Sequence, residues 1–82
     1  MNWKVYILEC ADGSLYTGIT TDLHRRITVH ETGKGARYTA GRGPFRLVYQ
    51  ELHTTRSEAT KREAAIKSMA RVGKLALISG AA

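Results

Sequence analysis

The hydrophobic and polar positions of the chain predict a β-hairpin, a helix, a third strand and a second helix, in that order. In residues 3–10 both alternating sets of side chains are apolar, because Val5 and Ile7 point to one side and Tyr6 and Leu8 to the other. A strand with two apolar faces is typical of a sheet that is covered on both sides. We therefore predict that this segment is the central strand of a small sheet.

The turn that follows this strand allows two registers. A two-residue loop, Asp12-Gly13, would place Tyr6 and Tyr16 on opposite faces of the hairpin. A three-residue loop, with Gly13 in the left-handed conformation, pairs Tyr6 with Gly18 and places both phenols on one face. We favour the second register, and we expect the missing side chain of Gly18 to leave space for a substrate backbone.

The first helix is predicted between about residues 22 and 32, because the N-cap candidates Thr20, Thr21 and Asp22 precede it and a glycine at position 33 follows. Leu23 and Ile27 mark its buried stripe. Arg26 and His30 are four residues apart, so we expect both on one flank of the helix, beside that stripe.

Residues 33–43 contain four glycines and three cations with no acidic residue, which predicts a mobile, positively charged loop. A third strand is predicted over residues 45–52, and Thr55 with Glu58 fits a capping box that opens the second helix. Ala59, Ile66 and Ala70 define the buried stripe of that helix. The tail after residue 71 shows no informative pattern.

Composition limits the fold to one small domain over residues 1–82 and favours an anionic partner. Thirteen basic residues against seven acidic ones give a net charge of +6, which favours nucleic acid, although a basic surface without a partner is the alternative. Cys10 is the only cysteine, so an intramolecular disulfide and a thiolate zinc site are excluded, and we expect a buried, unreactive thiol. With no apolar run long enough to cross a membrane and no secretory signal, we expect a cytoplasmic protein.

Two tyrosines and three later polar residues carry a resemblance to a known family. Tyr6 ends the triplet Lys4-Val5-Tyr6, and ten positions on another tyrosine opens Tyr16-Thr17-Gly18. Arg26 follows ten residues later, His30 four residues after that, and Glu63 lies on the second predicted helix. Over about residues 4–70 this order resembles the GIY-YIG endonuclease domain, especially its small, stand-alone, single-domain bacterial members. The resemblance implies an α/β fold with a three-stranded, mostly antiparallel sheet flanked by helices.

The resemblance also implies a reaction, namely magnesium- or manganese-dependent endonuclease cleavage of DNA phosphodiester bonds. Glu63 would bind the metal ion, and one of Tyr6 and Tyr16 would activate or orient water. His30 would assist proton transfer, and Arg26 would neutralise the scissile phosphate. A tyrosine of ordinary pKa is only about 0.1% phenolate at pH 7, so a phenol that serves as a base needs a cation or a proton relay beside it.

Further cations are predicted to follow the nucleic-acid backbone without reading bases; they are Arg25, Lys34, Arg37, Arg42 and Arg46. Three alternatives stay open. Glu63 is also placed to form an ion pair with Lys67, one helical turn later. The chain would then be a nucleic-acid-binding module of the same fold, acting on DNA-repair intermediates or RNA with little or no turnover. It would otherwise be a nuclease subunit that needs a protein partner. No nucleotide-binding motif is present, so a nucleotide cofactor is not expected.

Overall fold

A computed structural model of the chain describes residues 2–80. Its elements are β1 (Trp3–Glu9), β2 (Leu15–Thr20), α1 (Leu23–Glu31), a 3₁₀ turn (Arg37–Thr39), β3 (Arg46–His53), α2 (Arg56–Lys67) and α3 (Arg71–Ser79). The strands form one antiparallel sheet in the order β2-β1-β3. The predicted α/β fold and the central position of the first strand are confirmed.

The hairpin between β1 and β2 has the three-residue loop. Tyr6 lies opposite Gly18, and Leu8 lies opposite Tyr16. The backbone N–H of Cys10 donates to the Ser14 carbonyl at 2.8 Å, and Gly13 has a φ of +84°, a conformation that a residue with a Cβ rarely adopts. The favoured register is therefore confirmed, and with it the shared face of the two phenols.

The two faces of β1 build two separate apolar clusters. On one face, Val5 and Ile7 pack against Ala59 and Ile66 of α2, and all four side chains are fully buried. On the other face, the buried residues are Tyr6, Leu8 and Leu23, the last of these from α1. The pattern that predicted a central strand is thus explained by a helix on each side of the sheet.

The two predicted helix starts are confirmed in detail. The Asp22 side chain accepts a hydrogen bond from the Arg25 N–H at 3.1 Å, and Thr55 caps α2 through the Glu58 N–H at 3.1 Å. Gly33, with a φ of +80°, follows the end of α1. The prediction that Ala70 continues the buried stripe of α2 is wrong, because that helix ends at Lys67 and Ala70 is the exposed N-cap of the next one.

The third helix was not predicted, because its sequence carries no capping side chain and has a glycine, Gly73, in its interior. Leu77 and Ile78 of α3 pack against the cluster around Val5, whereas Val72 is exposed. The docked face of this helix therefore depends on the sheet beneath it. Within residues 2–80, no helix is long and apolar enough to cross a membrane.

Candidate active site

The centre of the candidate site is a buried contact between Tyr6 and His30. Tyr6 lies in the middle of β1 and His30 in the last turn of α1, and their exposed fractions are 0% and 1%. The Tyr6 hydroxyl and His30 Nε2 are 2.9 Å apart. A pair 24 positions apart in sequence is therefore joined by the packing of α1 against the sheet. His30 is buried, and does not merely flank the helix stripe as predicted.

Gly18 makes room for this contact. A Cβ atom at position 18 would lie 2.5 Å from the Tyr6 hydroxyl oxygen and 3.1 Å from the ring of Tyr16. The space opposite Tyr6 is therefore filled by the phenol of Tyr6 itself. The expectation that a substrate backbone would enter there is wrong, since the strand register that makes the space also directs Tyr6 into it.

Tyr16 lies beside this pair and remains partly exposed. Its ring centroid is 5.1 Å from that of His30, in an edge-on arrangement, and 6.4 Å from that of Tyr6. On its other side the exposed Tyr38 stacks at 6.1 Å with an interplanar angle of 27°, and the Arg42 guanidinium lies 4.6 Å from the Tyr38 centroid. Tyr38 was not among the predicted site residues, because a single tyrosine in a polar loop carries no periodic signal.

The glycine-rich loop folds over the second nitrogen of His30. His30 Nδ1 lies 2.7 Å from the hydroxyl of Thr39, which is 99% buried, and that hydroxyl is 2.9 Å from the Ala36 carbonyl. A Cβ atom on Gly35 would collide with His30 Nδ1, so the loop can cross the imidazole there only as glycine. The predicted loop thus contains a 3₁₀ turn packed against the site. Thr39 was missed, because a side-chain contact between a loop residue and a helix residue nine positions earlier leaves no periodic signal in the sequence.

The surroundings keep both members of the central pair uncharged near neutral pH. Burial raises the pKa of Tyr6 to about 12, with the charges of Tyr16 and Glu63 adding to the rise and the guanidinium of Arg26 opposing it. Burial also lowers the pKa of His30 below its ordinary 6.5, and the charge of Arg26 acts in the same direction. Arg26 and Glu63 are therefore both close enough to act on the tyrosine that bonds His30.

Glu63 lies on α2 as a half-buried carboxylate, with a side chain that is 21% exposed. Its Oε2 is 3.3 Å from the Lys67 ammonium, which also lies 5.8 Å from the centroid of Tyr16. Among residues 2–80 no group of three or more potential metal ligands is found. A single carboxylate nevertheless fits a hard cation such as Mg²⁺, because water and phosphate oxygens commonly complete its coordination shell.

The predicted backbone-binding cations differ in their surroundings. Arg25 is exposed and lines, together with Arg26, an open cavity of about 300 Å³ at the start of α1. Lys34 and Arg37 are exposed, and no ion pair joins either to another residue in the described part of the chain. Arg42 forms an ion pair with Asp12, which ties the loop to the hairpin turn.

Arg46 is the fifth of these predicted cations. It makes a long ion pair with Glu9 at 3.5 Å on the neighbouring strand, and its side chain remains 76% exposed. An exposed pair at this distance contributes little to stability, so the guanidinium stays available to other anions. The roles of all five cations remain predictions.

Comparison with known proteins agrees with this geometry. The family model described as GIY-YIG catalytic domain matches residues 2–74. A UPF0213 protein of Desulfotalea psychrophila is 57% identical over 77 residues, which cover 93% of this chain and 70% of that protein. A UPF0213 protein of Staphylococcus saprophyticus is 55% identical over 75 residues, covering 92% of each chain.

Two solution NMR structures are similar to the fold. One is of a UPF0213 protein from Bacillus halodurans, at 54% identity with a TM-score of 0.63, covering 96% of this chain and 84% of that one. The other is of a protein from E. faecalis, at 44% identity with a TM-score of 0.69, covering 98% and 85%. Given the family match over residues 2–74 and the tyrosine pair on one sheet face, this chain belongs to the GIY-YIG family, together with the small bacterial UPF0213 proteins.

Proposed function

We propose that this protein is a metal-dependent endonuclease that hydrolyses phosphodiester bonds of DNA. The observation that carries the proposal is the convergence of Tyr6, Tyr16 and His30 on one face of the sheet, where the charges of Arg26 and Glu63 act on the Tyr6 phenol. Phosphodiester hydrolysis needs a group that accepts a proton from water and a group that balances charge on the phosphorus oxygens. The cluster offers both kinds of group.

The two tyrosines divide the work according to their exposure. Tyr16 is partly exposed, so we assign to its phenol the contact with the attacking water. Tyr6 is fully buried and bonded to His30, which is neutral near pH 7 because its pKa is lowered. A neutral imidazole can take up a proton, so the Tyr6–His30 pair would accept a proton from the attacking water, with the Tyr6 oxygen receiving it and the Tyr6 hydrogen passing to His30. Arg26 is close enough to affect the pKa values of both Tyr6 and His30, and it would balance charge on the scissile phosphate.

Glu63 would hold the divalent cation, Mg²⁺ or Mn²⁺, with water and substrate oxygens as the remaining ligands. When bound, the cation would stabilise negative charge on the leaving oxygen. Lys67, which pairs with the carboxylate, would have to turn away or bind the same phosphate. Its long side chain is half exposed and allows either movement.

The basic surface supports a polyanionic substrate. Asp12, Glu9 and Glu63 are each paired with a nearby cation, and Asp22 caps α1. Arg25, Lys34 and Arg37 are exposed, and none of the ion pairs in the described residues involves them. Such cations attract the phosphate backbone irrespective of base sequence.

A nucleic-acid-binding module with little turnover is the second candidate, and one observation favours it. The Glu63 carboxylate already has a cationic partner in Lys67, and residues 2–80 contain no cluster of three ligands around it. A module of that kind would use the same basic surface and leave the polar cluster as a structural feature.

The deciding experiment compares wild type with Glu63→Gln on branched, single-stranded and duplex DNA, with and without Mg²⁺. If Glu63 binds the cation, the variant should lose nearly all cleavage, a fall of ~10²-fold or more, because the amide keeps the shape but not the charge. Metal-free DNA binding and the fold, followed by gel shift and circular dichroism, should be retained.

Glu58→Gln is the matched control, because Glu58 is an exposed glutamate on the same helix and lies at its N-terminal end. It should cleave like wild type. Full cleavage by a folded Glu63→Gln variant would contradict the metal site. Binding without cleavage by the wild-type protein, in every metal and on every DNA, would favour the binding module.

A further inference from the structure

A buried threonine in the glycine-rich loop has no role in the function proposed so far. The Thr39 hydroxyl lies between His30 Nδ1 at 2.7 Å and the Ala36 carbonyl oxygen at 2.9 Å. Together with the 2.9 Å contact between His30 Nε2 and Tyr6, these atoms form a continuous chain of three short polar contacts from the loop to the sheet. Both side chains that flank the imidazole are at least 99% buried, so bulk water does not compete for these bonds.

Counting the hydrogens available to these four groups assigns a donor and an acceptor to each of the three contacts. A carbonyl oxygen can only accept, so the 2.9 Å contact with Ala36 needs the hydrogen of the Thr39 hydroxyl. That hydroxyl has no second hydrogen, so toward His30 its oxygen must accept, and Nδ1 must carry a hydrogen. A neutral imidazole then has a lone pair on Nε2, which accepts the hydrogen of the Tyr6 hydroxyl.

The reverse arrangement leaves one contact without a hydrogen. If Nε2 carried the hydrogen and donated to Tyr6, the Thr39 hydroxyl would have to donate to Nδ1. Two oxygen atoms, those of Thr39 and Ala36, would then face each other at 2.9 Å with no hydrogen between them. An imidazolium is disfavoured by burial and by the charge of Arg26. The arrangement in which Thr39 donates to the Ala36 carbonyl, and His30 Nδ1 donates to Thr39, is therefore the one that gives every contact a hydrogen.

We propose that Thr39 is a positioning residue that fixes His30 in the tautomer with hydrogen on Nδ1, so that Tyr6 donates its hydrogen to Nε2. The consequence for catalysis rests on the proposed nuclease function. As the O–H bond of the attacking water breaks, a proton that reaches the Tyr6 oxygen is matched by transfer of the Tyr6 hydrogen to Nε2. The resulting imidazolium keeps its Nδ1 hydrogen bonded to Thr39. In the other tautomer Nε2 already carries a hydrogen, and this transfer is blocked.

The tautomer can be measured without any assay of activity. Long-range ¹⁵N–¹H correlation spectra of the wild-type protein should show His30 with a protonated Nδ1 and an unprotonated Nε2. Thr39→Ser keeps the hydroxyl and should keep this pattern, whereas Thr39→Val keeps the shape without the hydroxyl and should shift His30 toward hydrogen on Nε2. A protonated Nε2 in the wild type would overturn the proposal, even if the valine variant did not fold.

Cleavage rates then test the catalytic consequence. Thr39→Val should cleave DNA ~10²-fold more slowly than wild type, the contribution expected of a general base, and Thr39→Ser should recover most of the rate. A folded valine variant that cleaves like wild type, or that keeps the Nδ1 hydrogen, would refute the role of Thr39. If the wild-type protein cleaves no DNA, the nuclease function fails, and the spectra alone decide whether Thr39 fixes the tautomer.

Discussion

Each face of the sheet contributes a tyrosine to a hydrogen-bonded network that also contains a histidine, but the two networks differ in charge. On the face covered by α1, Tyr6 of the sheet and His30 of the helix are buried and neutral. On the α2 face, the Glu51 carboxylate accepts hydrogen bonds from Tyr49 and from Arg62, the latter at 2.7 Å, and lies 2.8 Å from His53 Nε2. This second network is partly exposed, with Glu51 20% and Arg62 33% accessible.

The difference in charge suggests different roles. The neutral Tyr6–His30 pair suits proton transfer, whereas the charged Glu51 network suits the attachment of a strand to a helix. Burial alone would raise the pKa of Glu51, but its three hydrogen-bond partners lower it overall, so the carboxylate stays charged and paired. Its contacts tie β3 to α2. The Tyr6–His30 contact contains a neutral imidazole, which in the proposed function would take up the proton.

Replacing the two tyrosines should give the largest contrast. Tyr6→Phe removes the hydroxyl that bonds His30 and should reduce cleavage ~10²-fold or more, because His30 loses the group from which it would take up the proton. Tyr49→Phe removes one of three partners of Glu51 and should leave cleavage unchanged. Both changes should cost about 1 kcal/mol of unfolding free energy, measured by urea denaturation.

The matched design excludes a general effect of losing a buried hydroxyl. If the two phenylalanine variants lost cleavage to the same extent, the contrast between a catalytic and a structural network would be wrong. If only Tyr49→Phe lost cleavage, the active site would have to lie on the α2 face.

Stability should depend on pH in two separate windows. His30 has a folded pKa below its ordinary 6.5, so on acidification the unfolded chain binds this proton first, and stability falls as pH drops below about 6.5. Glu51 has a folded pKa below 4.5, so its contribution is lost as pH falls below about 4.5. The slope is at most about 1.4 kcal/mol per pH unit for each proton.

Two variants test which residue is responsible for each pH window. His30→Gln should remove the upper slope and keep the lower one. Glu51→Gln should keep the upper slope and weaken the lower one, to which Asp12 also contributes through its lowered pKa. Thermal unfolding between about pH 3 and 8 measures both. An upper slope that persists in a folded His30→Gln variant would show that another group titrates there.

The smallest effect concerns DNA binding. Exposed cations of the loop should contact phosphates, whereas Arg62 is held by Glu51. Replacing Lys34 and Arg37 by glutamine should flatten the dependence of log affinity on log salt by roughly 0.7–0.9 for each phosphate that the variant no longer neutralises. Arg62→Gln, a control that removes the same kind of charge, should leave the slope unchanged. An unchanged slope in the double variant would remove the loop from the interface.

The sequence by itself determined the central strand and the helix starts, because both depend on local signals, and it favoured one of the two hairpin registers that the turn allows. Two apolar faces predicted β1, Gly13 allowed the three-residue turn, and the side chains of Asp22 and Thr55 accepted the expected N–H groups. The register in turn placed Tyr6 and Tyr16 on one face. The family resemblance, from residues Tyr6 to Glu63, was confirmed by the match over residues 2–74.

Only the tertiary structure decided which side chains of the site are hydrogen-bonded to each other, because hydrogen bonds between residues of different elements leave no periodic signal in a sequence. The loop that composition described as mobile and cationic supplies Thr39 and Gly35 to the imidazole of His30. The space at Gly18 receives the Tyr6 phenol and not a substrate. The last helix, which has no capping side chain, was missed because its stability depends on the packing of its apolar residues against the sheet.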